Sequence, residues 1–132
     1  MTDAPHIPLV VSARGTVSLP GALIDQARAE SPDGTARFTL VYPRREKGAG
    51  RLLLFTTAEM DALHRRIAAM PAGTLERAAA ERLYIGHSCD VTAEQEALHL
   101  PDPLADLFAP LPCEVRLKTG DANRELYAPP RA

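Results

Sequence analysis

Four side chains of this chain could bind a metal by type: His87, Cys89, His99 and Cys113. Structural zinc needs thiolates and imidazoles in close pairs, so that short loops can wrap the ion. The spacings here fit no such pattern, and three of the four fall in or beside strand candidates. No metal site and no cofactor is expected. Ser88 beside His87 is not a nucleophile–base dyad, because neighbours along a strand point to opposite faces. The chain has no nucleophile elbow, no H-E-x-x-H and no P-loop. Gly48-Ala49-Gly50 lacks the strand-to-helix setting that cradles phosphate. With no convergent site, the chain is not expected to be an enzyme. The densest charge is the basic run Arg44, Arg45, Lys47 and Arg51. Such a run could supply auxiliary phosphate contacts, but a solvated hairpin tip is the preferred reading.

These residues sit on a chain of 132 residues with formal net charge -2 and 12 prolines. That length fits a single domain, 1-132, able to bury a core without metals or disulfides. Frequent proline favours many short elements over long helices. The charge balance is not that of an isolated nucleic-acid binder, though binding depends on where charges sit rather than on their sum. Two cysteines without an export signal read as reduced thiols, and no apolar run is long enough to span a bilayer. A cytoplasmic protein with no membrane partner is the expectation.

The elements that must position any site read as follows. Leu9 to Val11 and Thr16 to Leu19 are strands around the turn Ala13-Arg14-Gly15, where Gly15 can take positive φ. Gly21 to Glu30 is a helix with Leu23, Ile24 and Ala27 on one face. Arg37 to Tyr42 and Arg51 to Phe55 form a hairpin across the basic loop 43–50. Thr56 and Glu59 fit a capping box opening a helix with Met60, Leu63 and Ile67 inward. A second helix starts at Gly73 or Thr74, with Leu75, Ala79 and Leu83 predicted inward and Arg77 outward. Cys89 to Val91 and Leu98 to Leu100 are strands, and Asp102 is predicted to cap a short helix with Pro103 at its first position. Glu114 to Lys118 and Arg124 to Tyr127 pair as a last hairpin across 119–123.

A worn repeat organises this order. Val11 to Pro20 (VSARGTVSLP) and Thr92 to Pro101 (TAEQEALHLP) are both turn-centred, both end in Leu-Pro, and both precede a brief apolar helix. A unit used twice cannot bury its own apolar face and needs its copy. The expected fold is therefore α+β: a pseudo-two-fold barrel of two internal repeats with two central helices packed outside. Repeat one covers about 7-70, the connecting helix about 73-86, and repeat two about 87-128.

In this organisation the chain resembles the MraZ family of SpoVT/AbrB-like double-split β-barrels. The family unit is close to D-A-K-G-R-L-x-L-P; here it is Ser12-Ala13-Arg14-Gly15-Thr16-Val17-Ser18-Leu19-Pro20. The family's second copy, near D-K-Q-G-R-I-L-L-P, is here Ala93-Glu94-Gln95-Glu96-Ala97-Leu98-His99-Leu100-Pro101. The stretch LLLFTTAEMDALHRRIAAMP resembles the family's central strand and helix, and GDANRELYAPP its last hairpin.

The resemblance implies a transcriptional regulator, a repressor by type, that binds DNA direct repeats as a ring-like homo-oligomer, nucleoid-associated when bound. It assigns DNA contact to Arg14, with Gly15 shaping the turn and Ser12 and Thr16 as supporting polar groups. Phosphate contacts give affinity, and arginine can read guanine bidentately. In the second copy Glu94 and Glu96 would repel phosphate. One reader per protomer can still suffice in a ring through effective concentration. The alternatives are a barrel-fold protein-interaction module that has lost DNA binding, and an AbrB-type antitoxin.

Overall fold

The computed structural model describes residues 6–42, 48–119 and 124–129. The chain runs β1 (His6–Val11), β2 (Thr16–Ser18), α1 (Gly21–Glu30), β3 (Ala36–Val41), β4 (Arg51–Thr56), α2 (Thr57–Ala68) and α3 (Leu75–Tyr84). It continues through β5 (Ser88–Ala93), β6 (Ala97–His99), α4 (Asp102–Ala105), a 3-10 turn Asp106–Phe108, β7 (Cys113–Lys118) and β8 (Arg124–Tyr127). All strands are antiparallel, in the order β5-β3-β4-β8-β7-β1-β2-β6. The two end strands are consecutive in sequence and meet through a bridge between Glu94 and Ala97. The protein is thus α+β, with a nearly closed, barrel-shaped sheet. Closure removes most of the exposed edge that an open sheet would present. No helix among the described residues is long and apolar enough to cross a membrane.

The barrel interior takes alternate residues of each strand, as the pleat requires. Val11, Val17, Phe38, Leu40, Leu52, Leu54, Leu98, Leu117 and Leu126 are buried in one cluster. Leu23, Ile24 and Ala27 of α1, with Leu104, Leu107 and Phe108 after β6, complete it. Each such side chain contributes about 1.5–3 kcal/mol by leaving water. Strand β4 reads RLLLFT because it is covered on both faces. Leu52 and Leu54 point into the barrel, while Leu53 and Phe55 meet Met60, Leu63 and Ile67 of α2 in a second cluster. The capping box forms as the sequence predicts: Thr56 Oγ1 accepts from the Glu59 N–H, and Glu59 accepts from the Thr56 N–H.

Two helix readings are corrected. Leu75 is 89% exposed, Ala79 is exposed, and α3 has no fully buried residue. Thr74 caps α3, so Leu75 occupies its first turn, ahead of the part that meets α2. The packed stripe is Ala80, Leu83 and Tyr84 instead. Arg77, expected outward, lies against the helix start, where it donates to the Met70 carbonyl at 3.2 Å and pairs with Glu81 at 3.0 Å. Asp102 is the first residue of α4 rather than its cap; Pro101 occupies the cap and Pro103 the second position. Extended backbone at Pro101 (ψ 150) already supplies the cap conformation.

Candidate nucleic-acid interface

The β1–β2 turn is built around glycine. Gly15 N–H donates to the Ser12 carbonyl and Ser12 N–H to the Thr16 carbonyl, both at 2.9 Å. These bonds enclose a three-residue loop, Ala13-Arg14-Gly15, with Gly15 left-handed at φ 78. A turn followed by a left-handed residue is a common three-residue hairpin. Ser12 Oγ accepts from the Arg14 N–H at 3.3 Å and the Thr16 N–H at 3.1 Å. Gly15 is buried, and a Cβ there would come within 3.2 Å of the Ala105 Cβ. The glycine therefore anchors the turn while Ala13 and Arg14 stand exposed. Ser12 thus caps the turn through its side-chain oxygen.

The β5–β6 turn is different. Glu94 and Ala97 exchange backbone bonds at 2.9 and 2.8 Å, enclosing only Gln95 and Glu96. Both are left-handed, at φ 50 and φ 71. A two-residue hairpin needs such a pair and favours Asn-Gly for it. Without glycine each position costs about 1–2 kcal/mol. The second turn is thus one residue shorter than the first. Buried Ala93 stands where Val11 stands, and Glu94 takes the place of Ser12. The ungapped match of the two segments sets Ala93 against Ser12; their one-residue difference lies inside the turns, where an ungapped reading cannot place it.

The two turns flank one strand pair. In β2 and β6, Thr16 faces His99, Val17 faces Leu98, and Ser18 faces Ala97. Val17 and Leu98 are buried, so Thr16, Ser18, Ala97 and His99 line the outer surface. Leu19 N–H donates to the Glu96 carbonyl at 2.8 Å, and Leu100 N–H to the Gly15 carbonyl at 2.9 Å. Each turn is thereby fastened to the end of the strand that follows the other turn. Thr16 Oγ1 lies 3.1 Å from His99 Nδ1, so the hydroxyl expected to support a ligand is engaged across the pair. A recess there is lined by Thr16, Glu94, Gln95, Ala97 and His99.

The structure therefore brings Ser12, Arg14, Gly15 and Thr16 into one tip and sets the acidic tip beside it. Arg14 is exposed, and among the described residues its guanidinium makes no hydrogen bond or ion pair. Arg44, Arg45 and Lys47 lie outside the described residues. From residue type alone His99 reads as a metal ligand. Its place beside Thr16 follows once the two Leu-Pro-ended strands are paired antiparallel. Among the other metal candidates, Cys113 is buried in the barrel core, and burial, with Asp90 adjacent, pushes the Cys89 thiol up. No group of three or more His, Cys, Asp or Glu able to hold a metal occurs among the described residues. The chain matches no family model and no curated protein sequence.

Proposed function

We propose that this chain is a DNA-binding transcriptional regulator of MraZ-like type, a double-split barrel of two repeats acting as a ring-like homo-oligomer on direct-repeat promoter sites. The pairing pattern supports the two-fold reading. Exchanging β1–β4 with β5–β8 turns the β1–β7 pair into β5–β3 and the β3–β4 pair into β7–β8, and leaves β2–β6 and β4–β8 as they are. The registers follow: His6↔Lys118 through Val11↔Cys113 correspond to Ser88↔Val41 through Ala93↔Ala36. Val10, Leu75 and Ile85 are large apolar side chains left exposed, and the ring reading takes α3, which opens at Leu75 and is capped at Ile85, as a contact with a further copy.

The observation that carries the functional reading is Arg14, held exposed on a turn fixed by Ser12 and Gly15. A guanidinium offers five donors in a planar fork suited to phosphate or guanine. The turn holds the backbone that carries it, so binding orders the side chain alone. In a ring each protomer presents one such tip, and weak contacts add through effective concentration. The test is a low-salt mobility-shift assay on promoter fragments selected from the source genome. Arg14→Ala is expected to weaken binding; equal affinity of variant and wild type would sink the proposal. The second reading, a barrel that binds protein and not DNA, draws on one observation: Glu94 and Glu96 at the neighbouring tip. Selection that enriches no fragment would favour it.

A further inference from the structure

His99 has a place that the paired repeats create and neither turn supplies. It projects outward from β6, is exposed, and lies opposite Thr16 at the base of the Arg14 tip. Thr16 Oγ1 holds its Nδ1 at 3.1 Å, which fixes the ring and leaves Nε2 as its other polar atom. The charged groups around it are mostly acidic. Glu94 lines the same recess, Glu96 and Asp102 lie beyond the two ends of its strand, and Arg14 stands at the adjoining turn.

We propose that His99 is a second, proton-gated phosphate contact, through which the acidic copy of the repeat takes part in DNA binding. The proposal rests on the DNA-binding reading above. With a neutral imidazole the recess is acidic, and a duplex crossing from the Arg14 tip meets carboxylates. Repulsion between such groups and phosphate is strongest at low salt. Protonation offsets one carboxylate and places a cation one strand away from Arg14, on a surface already shaped by β2 and β6. Phosphate favours the imidazolium, so binding takes up a proton from solvent. Histidine is the side chain that ordinarily changes charge between pH 5 and 8. Placed in a strand, the histidine also avoids the strained turn at Gln95 and Glu96.

The test measures affinity for a mixed-sequence DNA duplex at low salt, at pH 6 and at pH 8, for wild type, His99→Gln and Arg14→Ala. Glutamine can still hydrogen-bond Thr16 but cannot take up a proton. Wild type is expected to bind about tenfold more tightly at pH 6, with a salt slope steeper by about 0.9, the signature of one further phosphate neutralised. His99→Gln should show neither change. Arg14→Ala should bind more weakly at both pH values yet retain the pH response. An Arg14-dependent affinity that is flat with pH, or a pH response surviving in His99→Gln, overturns the proposal and leaves the DNA-binding reading standing. Absence of binding by any form at either pH overturns both.

Discussion

Gly15→Ala separates shape from charge at the Arg14 tip. The native φ of 78 is left-handed, a conformation that costs a residue with a Cβ about 1–2 kcal/mol. The new methyl would also stand 3.2 Å from the Ala105 Cβ, so α4 must give way by a few tenths of an ångström. Alanine restricts the unfolded chain, which offsets about 0.4–1 kcal/mol. The difference is about 0–1.6 kcal/mol and the methyl contact adds to it, so a loss of about 1 kcal/mol is expected, or a melting point lower by roughly 3–6 °C for a domain of this size. The reciprocal change is Glu96→Gly. It relieves a left-handed residue at φ 71 against glycine's own entropic cost of about 0.5–1 kcal/mol, so a gain near 0.5 kcal/mol is expected. Urea unfolding with unchanged m-values reads both differences. Gly15→Ala should also weaken DNA binding although no charge changes, because the turn that aims Arg14 is altered. A Gly15→Ala protein as stable as wild type, or Glu96→Gly losing more than about 1 kcal/mol, would refute the assignment of the two turn geometries.

Three other perturbations test separate parts of the molecule. Burial pushes the Glu59 carboxyl up, but Arg124 at 2.8 and 3.1 Å and the Thr56 N–H outweigh it and hold it below the ordinary 4.5. The stability this carboxylate contributes is present above its unfolded value and lost as pH falls through the lowered folded one; Glu59→Gln should cost about 1–2 kcal/mol at pH 7, discounted for partial exposure, and should show less acid sensitivity below pH 4.5 in denaturation experiments. Changing Glu94 and Glu96 together to lysine should raise duplex affinity and steepen its salt dependence by about 0.9 for each phosphate gained; unchanged affinity would mean that this tip faces away from DNA. Leu75→Glu should lower the solution mass of the assembly while leaving the melting curve of the dissociated chain little changed, since the side chain is 89% exposed; an unchanged mass would remove α3 from the contact.

Much of the fold was legible because the apolar pattern is strict where burial is strict. Strand β4 is apolar on both faces and helix α2 opens on a capping box, so the sequence around residues 51–68 identifies both elements and their contact. The Leu-Pro endings likewise locate β2 and β6, because Leu19 and Leu100 are buried and each following proline starts a helix. Helix α3 was read with the wrong stripe. It packs lightly, on Ala80, Leu83 and Tyr84, and alanine at several neighbouring positions makes its apolar face ambiguous. The site was legible in its first half, where Gly15 marks the left-handed position. In the second half that position is held by Glu96, so nothing in residue type announced the shorter turn or the altered register of Ala93 and Glu94. His99 acquires its neighbour Thr16 only through a pairing between residues far apart in sequence, which local reading cannot see.

The position of β1 in the sheet bears on how the chain is made. β1 begins the described fold, yet its full-length neighbour is β7, with pairs running from His6↔Lys118 to Val11↔Cys113. While a ribosome is still adding residues before Cys113, that neighbour does not exist, and Leu9 and Val11 have no strand along that side to cover them. The first half of the chain therefore emerges unable to finish its part of the sheet. It must wait for β7 and β8, held meanwhile by α1 and the β3–β4 hairpin, whose partners are close in sequence. Long-range pairing of this kind slows folding and prolongs the exposure of apolar strands. Nascent chains stalled before β7 should accordingly be protease-sensitive in β1, and protection there should arrive once β7 and β8 have cleared the exit tunnel.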